Sequence, residues 1–245
     1  MVWSRLAARM PAWDDLGVRV QRTFSFIDLS GFSSLTAVEG DERAVQLIGE
    51  FRALVRGICS RRGIRIAKWL GDGAMLVGVD TQPVLASVLE LQRTVVASPM
   101  MIDVTCGVTA GAVILLEGDD YIGHAVNVAA RLCDLAAPNQ VLAAESTLDK
   151  MPPWGTVITE TQVALRGLEE PLTVASIGLR PAGDDAQPDP VCGIPLTTST
   201  AAAIRRDNVG RLVLFCADSC LETWEGRPGP APDEQGSVRV PLIGS

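Results

Sequence analysis

Apolar and polar positions divide the first third of the chain into a strand, a helix and a hairpin. Residues 20–29 alternate and then become apolar, as a central β-strand does. Residues 42–61 repeat their apolar positions at helical spacing, and Gly63 ends this helix. Its predicted buried stripe comprises Val45, Ile48, Phe51 (or Arg52), Val55 and Ile58. Two strands, 64–69 and 74–79, then flank Gly71-Asp72-Gly73, a composition typical of a hairpin turn.

The following hundred residues continue this alternation of helices and strands. A second amphipathic helix is predicted at 83–97, with Val84, Val88, Leu91 and Val95 on its buried side. The strand-like run 102–116 contains Gly107 and Gly111, which suit a strand that other backbone approaches closely. The remaining predicted elements are a turn at 117–120, helices at 125–136 and 145–150, and strands at 141–143, 156–165 and 172–179. The order β-α-β-β-α-β with extra elements predicts a ferredoxin-like α+β sandwich, with one mostly antiparallel sheet and helices on one face.

Both ends of the chain differ from this pattern. Residues 1–19 carry four large apolar residues at near-helical spacing, which predicts an N-terminal helix packed on the domain that follows, 20–180. A membrane-surface helix is the alternative, although Pro11 interrupts it. Residues 181–188 have the composition of a linker, 189–228 form a small cysteine-containing module, and the proline-rich tail 229–245 is expected to be disordered.

Composition and charge exclude several classes of function. A net charge of −8 over 245 residues argues against a nucleic-acid polymer as partner, since such binding depends on many Lys and Arg contacts to phosphates. In the apolar middle of the chain the longest stretch without a charge, Val104 to Leu116, is 13 residues, too short to span a bilayer. The first residues do not resemble a secretory signal, so we expect a cytoplasmic protein with reduced cysteines. His124 is the only histidine, which excludes a His-rich zinc site.

Two aspartates are candidates for holding metal ions. Asp28 ends the first predicted strand before Gly31, and Asp72 lies at the tip of the neighbouring hairpin, so the fold can bring both carboxylates to the same ions. Hard oxygen ligands of this kind favour Mg²⁺ or Mn²⁺ and leave room for substrate phosphates. The alternative is that Asp28 caps a helix and that Asp72 is an ordinary turn residue.

Asn127 and Arg131 are four residues apart and therefore project from one side of the predicted helix 125–136. An amide can hold a ribose, and a guanidinium presents a rigid fork of donors to a phosphate. A solvated helix face is the alternative for such a pair. These residues are part of Gly123-His124-Ala125-Val126-Asn127-Val128-Ala129-Ala130-Arg131-Leu132.

Together with Phe26-Ile27-Asp28 and Lys68-Trp69-Leu70-Gly71-Asp72-Gly73, this segment closely resembles the catalytic domain of the class III nucleotidyl cyclases, over about residues 23–179. The resemblance implies that Asp28 and Asp72 hold two Mg²⁺ or Mn²⁺ ions. It implies that Asn127 orients the ribose and that Arg131 stabilises the charge on the α-phosphate. It also implies a head-to-tail homodimer in which each site takes its metal aspartates from one subunit and its remaining groups from the other.

The resemblance assigns base recognition to Lys68 and Asp120. Adenine offers an acceptor at N1 and a donor at its 6-amino group, so Lys68 can donate to the first and Asp120 can accept from the second. Guanylyl cyclases usually carry an acid and a small polar residue at these places, so ATP is the expected substrate and cyclic AMP the expected signalling product. Arg166, in Leu165-Arg166-Gly167, is a candidate for binding the terminal phosphates.

The six cysteines fall into two groups. Cys59, Cys106 and Cys133 lie among apolar residues and are expected to be core thiols. Cys192, Cys216 and Cys220 occur in Asp-Pro-Val-Cys-Gly and Phe-Cys-x-x-x-Cys, which resemble the YHS domain, a module thought to bind metal. Three thiolates suit zinc or copper, with a structural thiol cluster as the alternative.

Three functions therefore remain open on sequence grounds. The first is an adenylate cyclase, a phosphorus–oxygen lyase, regulated by a metal-responsive or redox-responsive YHS-like module. The second is a nucleotide-binding regulatory protein with little turnover. The third is a metal-binding adaptor that a cyclase-fold domain dimerises.

Overall fold

The computed structural model describes residues 18–100, 102–116, 120–166 and 170–226. It divides into two compact units, one up to Gly183 and one from Asp184. Residues 1–17 and the tail from 227 lie outside the described residues, so the N-terminal helix and the disordered tail stay predictions. No helix in the described part is both long enough and apolar enough to cross a membrane.

The first unit is built on one mixed sheet. Its elements are β1 (Val18–Ser30), α1 (Phe32–Glu39), α2 (Asp41–Arg62), β2 (Arg65–Leu70), β3 (Gly73–Gly78), α3 (Thr81–Val96), β4 (Asp103–Leu116), β5 (Asp120–Ile122), α4 (His124–Leu135), β6 (Val141–Ala144), a 3₁₀ helix (Glu145–Lys150), β7 (Gly155–Val163) and β8 (Leu172–Leu179). The strand order is β2-β3-β1-β4-β6-β8-β7, with β5 paired to β4. Of the described pairs, only β4 and β6 run parallel, so the predicted mostly antiparallel α+β fold is confirmed.

The helix α2 buries a stripe that is shifted from the predicted one. Phe51, Val55 and Ile58 are buried as expected, but Val45 is 70 % exposed. Ala44 and Leu47 are buried in its place, because at 3.6 residues per turn the positions seven and four before Phe51 share its face. The prediction for Val45 was wrong, whereas the four apolar positions predicted to be buried on α3 are all buried.

A charged cluster ties the end of α2 to α3. Glu90 of α3 is buried and accepts hydrogen bonds from Arg61 and from Arg62, the latter at 2.7 Å. The guanidinium of Arg62 also lies over the ring of Trp154, 5.9 Å from its centroid. Because a buried carboxylate needs such partners, the cluster fixes the two helices against each other.

The helix α4 lies on the opposite face of the sheet from α2 and α3. Leu76 of β3 lines a small apolar gap with Val55 of α2 and Leu91 of α3, whereas the adjacent Met75 packs in a cluster with Ala129 of α4. Successive strand residues point to opposite faces, so these helices cover opposite faces. The expectation of helices on one face was therefore wrong.

Two glycines of β4 explain how α4 reaches this face. A Cβ atom on Gly107 would collide with the backbone of Ala129 and Cys133 in α4, and one on Gly111 would lie 3.1 Å from the Cβ of Ala125. The helix axis thus passes directly over the strand, which only residues without a side chain permit. The predicted close approach at both glycines is confirmed.

The second unit contains little regular structure. Its elements are β9 (Gln187–Pro188), β10 (Pro195–Leu196), β11 (Ala203–Arg206), β12 (Leu212–Phe215) and α5 (Asp218–Glu225). They form two antiparallel hairpins, β9–β10 and β11–β12, followed by the helix. Gln187 and Pro188, which lie in the predicted linker, belong to the first of these hairpins.

Candidate active site

Asp28 and the hairpin that carries Asp72 meet at one end of β1. Asp28 lies opposite Thr105 of β4, and the preceding residue, Ile27, lies opposite Ala74 of β3. Gly73 follows Asp72 directly, and a Cβ atom on it would lie 2.6 Å from Oδ1 of Asp28. The absence of a side chain at Gly73 therefore lets the hairpin pass beside the Asp28 carboxyl group.

The electrostatics of Asp28 fit a cation site. The residue is exposed as a whole, but its carboxyl group packs against the hairpin, and this burial together with the charge of Asp72 raises its pKa to about 6. No lysine, arginine or histidine of the described residues forms a salt bridge with either carboxylate. Two neighbouring carboxylates without a protein cation suit hard divalent ions.

Asp134 is a third acid near this pair. It lies on α4, three residues after Arg131, and its charge also raises the pKa of Asp28. The sequence interpretation overlooked it, although its spacing from Arg131 on the same helix was a usable signal. Asp134 lies near Asp28 because α4 packs on the face of the sheet opposite α2 and α3.

The hairpin is held from the side by α2. Arg52 donates a hydrogen bond from Nη2 to the carbonyl of Gly71 at 2.8 Å, and its guanidinium lies 5.0 Å from the centre of the Trp69 ring. Arg56, one turn later, lies 5.2 Å from the same ring. Cation–π contacts of this kind attract each guanidinium to the ring. Arg52 thus contacts the residue before Asp72 and the residue after Lys68.

Lys68 and Asp120, the two predicted base-reading residues, are in direct contact. Nζ of Lys68 donates to Oδ1 of Asp120 at 2.7 Å, although 52 positions separate them. The hydrogen bond from Lys68 and another from the backbone of Tyr121 hold the pKa of Asp120 below its usual range. Their side chains are 48 % and 47 % exposed, so solvent or a ligand reaches both groups.

Aromatic packing explains how β5 comes to lie beside the hairpin. Tyr121 of β5 is buried in a cluster with Phe24 of β1 and Met75 of β3, and its ring meets that of Phe24 edge to face at 5.3 Å. The guanidinium of Arg65 on β2 lies 5.8 Å from the centre of the Tyr121 ring. The only tyrosine of the chain therefore anchors β5 over β1, β2 and β3 and brings its neighbour Asp120 to Lys68.

The other candidates are exposed or partly exposed. Asn127 and Arg131 lie on α4 as predicted, and neither has a hydrogen bond or ion pair within the described residues. Arg166 lies in an exposed turn directly before the undescribed residues 167–169, and no described contact joins it to the other candidates. His124 is the first residue of α4 and is exposed.

The chain resembles both curated proteins and solved structures. No protein-family model matches it. An uncharacterised protein of Mycobacterium tuberculosis is 32 % identical over 172 residues, 70 % of this chain and 45 % of that protein. A pH-sensitive adenylate cyclase of the same species is 34 % identical over 131 residues, 54 % of this chain and 32 % of that protein. The chain thus spans less than half the length of these relatives.

Comparison with a solved structure identifies the fold of the chain. The guanylyl cyclase Cya2 superimposes with a TM-score of 0.57 at 19 % identity, covering 67 % of this chain and 95 % of that one. The chain has the fold of a class III nucleotidyl cyclase catalytic domain. Every candidate from Asp28 to Arg166 lies in the first unit, which we call the cyclase-fold unit.

The second unit brings its three cysteines together around an aspartate. Asp189, Cys192, Cys216 and Cys220 are all buried, and one ligating atom of each lies within 4.8 Å of the others. The Sγ atoms of Cys192 and Cys216 are 3.4 Å apart, and those of Cys216 and Cys220 are 3.6 Å apart. None of the six cysteines forms a disulfide bond. Asp189 was overlooked as a site residue, although it lies in the motif that contains Cys192.

Proposed function

We propose that the protein is an adenylyl cyclase that converts ATP to 3′,5′-cyclic AMP and pyrophosphate. The observation that carries this proposal is the contact between Lys68 and Asp120 at 2.7 Å. A cationic donor and an anionic acceptor side by side match the acceptor N1 and the donor 6-amino group of adenine. Both side chains are about half exposed, so an arriving base can compete for their hydrogen bonds.

The acids Asp28 and Asp72 are proposed to hold two divalent ions. Burial of the carboxyl group and the charge of Asp72 together raise the pKa of Asp28, and a cation that binds between the two carboxylates would offset both effects. Bound Mg²⁺ or Mn²⁺ would activate the 3′-hydroxyl group and neutralise charge on the phosphates. Gly73 lets the hairpin approach the Asp28 carboxyl group closely, and Arg52 restrains the hairpin that carries Asp72.

The remaining groups are proposed to act on the ribose and the phosphates. Asn127 orients the ribose, Arg131 stabilises the negative charge that develops on the α-phosphate, and Arg166 binds the terminal phosphates. Asn127 and Arg131 have no described partner within their own chain, which fits side chains that meet a ligand at a subunit interface. We therefore propose a head-to-tail homodimer with two equivalent sites.

We further propose that Cys192, Cys216 and Cys220 bind one metal ion in a YHS-like module that makes the protein responsive to metal or redox state. Three buried thiols with sulfur–sulfur distances of 3.4 and 3.6 Å are the observation that favours this. None of the six cysteines forms a disulfide bond, which fits the reducing cytoplasm, where we expect the protein to act.

Product formation by the purified protein tests the main proposal. ATP and GTP are supplied separately with Mg²⁺ and with Mn²⁺, and cyclic nucleotides are quantified by mass spectrometry. We expect cyclic AMP from ATP and little cyclic GMP from GTP. A preference for GTP would contradict the assigned base, and no product from either nucleotide, with binding retained, would favour the regulatory protein instead.

A further inference from the structure

The carboxylate of Asp189 has one acceptor position that the protein leaves free. Its Oδ1 accepts the backbone N–H groups of Val191 at 2.8 Å and Cys192 at 3.2 Å, and its Oδ2 accepts that of Cys216 at 2.7 Å. An ionised carboxylate has about four lone-pair sites. Three are used by these bonds, and the fourth belongs to Oδ2.

The same hydrogen bonds tie the carboxylate to the cysteine ligands. Two of the three donors are the backbone groups of Cys192 and Cys216 themselves. Asp189 therefore joins the loop after β9 to the end of β12 and sets the spacing of two sulfur atoms. It is 2 % exposed, so water does not compensate its charge.

The sulfur positions agree with a tetrahedral metal site. With a zinc–sulfur bond of about 2.3 Å, two sulfurs of a tetrahedron lie about 3.8 Å apart. The observed separations of 3.4 and 3.6 Å need only a few tenths of an ångström of expansion, and they are far from the roughly 2.05 Å of a disulfide bond. Hydrogen bonds with Cys216 and Cys220, together with burial, raise the pKa of Cys192 well above its usual range, as expected for thiols without a cation.

We propose that Asp189 is the fourth ligand of a zinc ion, through Oδ2, in a tetrahedral Cys₃Asp site. This inference rests on the metal site proposed at the three cysteines and adds the fourth ligand and the identity of the ion. Zinc binds sulfur and carboxylate oxygen together in four-coordinate structural sites. A monovalent soft ion held by three thiolates would not use the carboxylate.

The size of the unit gives the ion a structural role as well. The described part, 184–226, contains two short hairpins and one helix, and units of roughly this size commonly need a metal or disulfides to fold. The four ligands come from the loop after β9, from the residue after β12 and from α5. An ion bound by all four would link these segments, so its binding energy would stabilise the fold.

Zinc titration of the full-length protein tests the proposal. Reduced wild-type protein is titrated against a chromophoric zinc chelator beside Asp189→Asn and Asp218→Asn, the latter changing an exposed acid of α5. We expect one zinc per chain for the wild type and for Asp218→Asn, and an affinity at least about 100-fold lower for Asp189→Asn, since even outer partners of ligands are worth 10- to 100-fold. Equal zinc affinity in Asp189→Asn would overturn the fourth ligand and leave the three-cysteine site standing. Failure of the wild type to bind zinc would overturn both the fourth ligand and the identity of the ion.

A measurement on the wild type alone covers the case in which Asp189→Asn does not fold. X-ray absorption at the zinc edge should give three sulfur neighbours at about 2.3 Å and one oxygen or nitrogen at about 2.0–2.2 Å. Three sulfurs without a lighter neighbour would overturn the assignment of Asp189. Neither experiment depends on cyclase activity, so a failed cyclase proposal would leave their outcome unchanged.

Discussion

The two candidate sites of this protein differ in how far the chain alone completes them. In the cyclase-fold unit Lys68 and Asp120 are about half exposed, and Asn127 and Arg131 have no described partners. In the second unit four ligating groups are buried and lie within 4.8 Å of one another. We call the first an open site, because its groups are accessible to a ligand. We call the second a closed site, because its groups are buried and lie close to one another.

This difference predicts which side chains matter for function and which matter for stability. Removing a group from an open site should cost function with little cost in stability, because the group has few contacts in the folded chain. Removing one from a closed site should cost stability, because its contacts are part of the core. The predictions below test this contrast.

The largest expected effect follows from removing a metal-binding acid. Asp28→Ala or Asp72→Ala should lower cyclic AMP formation by more than about 100-fold, because activation of the hydroxyl and charge stabilisation both depend on the ions. The melting temperature should stay within a few degrees of the wild type. Steady-state assays with Mn²⁺ and calorimetry measure the two quantities.

Glu160→Ala is a matched control for these variants. Glu160 is an exposed acid on β7, at the opposite edge of the sheet from β2 and β3. The variant Glu160→Ala should keep wild-type activity. Substantial activity with an unchanged metal requirement in Asp28→Ala would contradict the assignment of the ions.

The next largest effect concerns recognition of the base. Lys68→Glu removes the donor to N1 and places two acids side by side, so kcat/KM for ATP should fall by about 10- to 100-fold, as expected for an unpaired polar group in a binding site. Lys150→Glu, at the only other lysine of the chain, is the control. Near-normal ATP kinetics in Lys68→Glu would place this residue outside the pocket.

Mixing two inactive variants tests whether each site is shared between subunits. Asp28→Ala and Arg131→Ala should each be inactive, but in a mixed dimer one site collects both changes and the other collects none. With equal amounts and random pairing, about a quarter of wild-type activity should return. If mixed dimers form and no activity returns, the sites are not shared.

In the closed site a single substitution should act on stability. Cys220→Ser should lose zinc and destabilise the second unit by at least about 2 kcal/mol, since Cys220 is fully buried in its core. Faster hydrogen exchange of residues 212–216, compared with the zinc-bound wild type, would report this. Unchanged exchange after loss of zinc would mean that the thiol cluster holds the unit together without an ion.

The smallest expected effect is a pH dependence at Asp28. Its pKa rises from 3.8 in the unfolded chain to about 6 in the folded one, so the folded state binds this proton more tightly. Its contribution to stability is therefore complete below about pH 4 and is lost as the pH rises through about 6. In Mg²⁺-free buffer the melting temperature of Asp28→Asn, relative to that of the wild type, should therefore increase as the pH is raised from 4 to 7.5. A difference between the two proteins that does not change with pH would contradict this.

Local patterns in the sequence predicted much of the first unit. The four buried positions on α3 and the close approach at Gly107 and Gly111 were correct, because hydrophobic period and glycine placement act over a few residues. Val45 was misplaced because several apolar stripes fit one helix, and only packing against the sheet selects among them.

The sequence by itself determined the order of the elements and the residue types that stand at their ends, because both depend on neighbours along the chain. Only the tertiary structure decided that α4 lies on the opposite face from α2 and α3, that Tyr121 carries Asp120 to Lys68, and that Asp189 joins the three cysteines. Lys68 and Asp120 are 52 positions apart in sequence, and Asp189 and Cys216 are 27 positions apart. These contacts arise from the packing of the whole sheet and of the second unit's core. The hydrophobic periodicity of a short segment does not determine such packing.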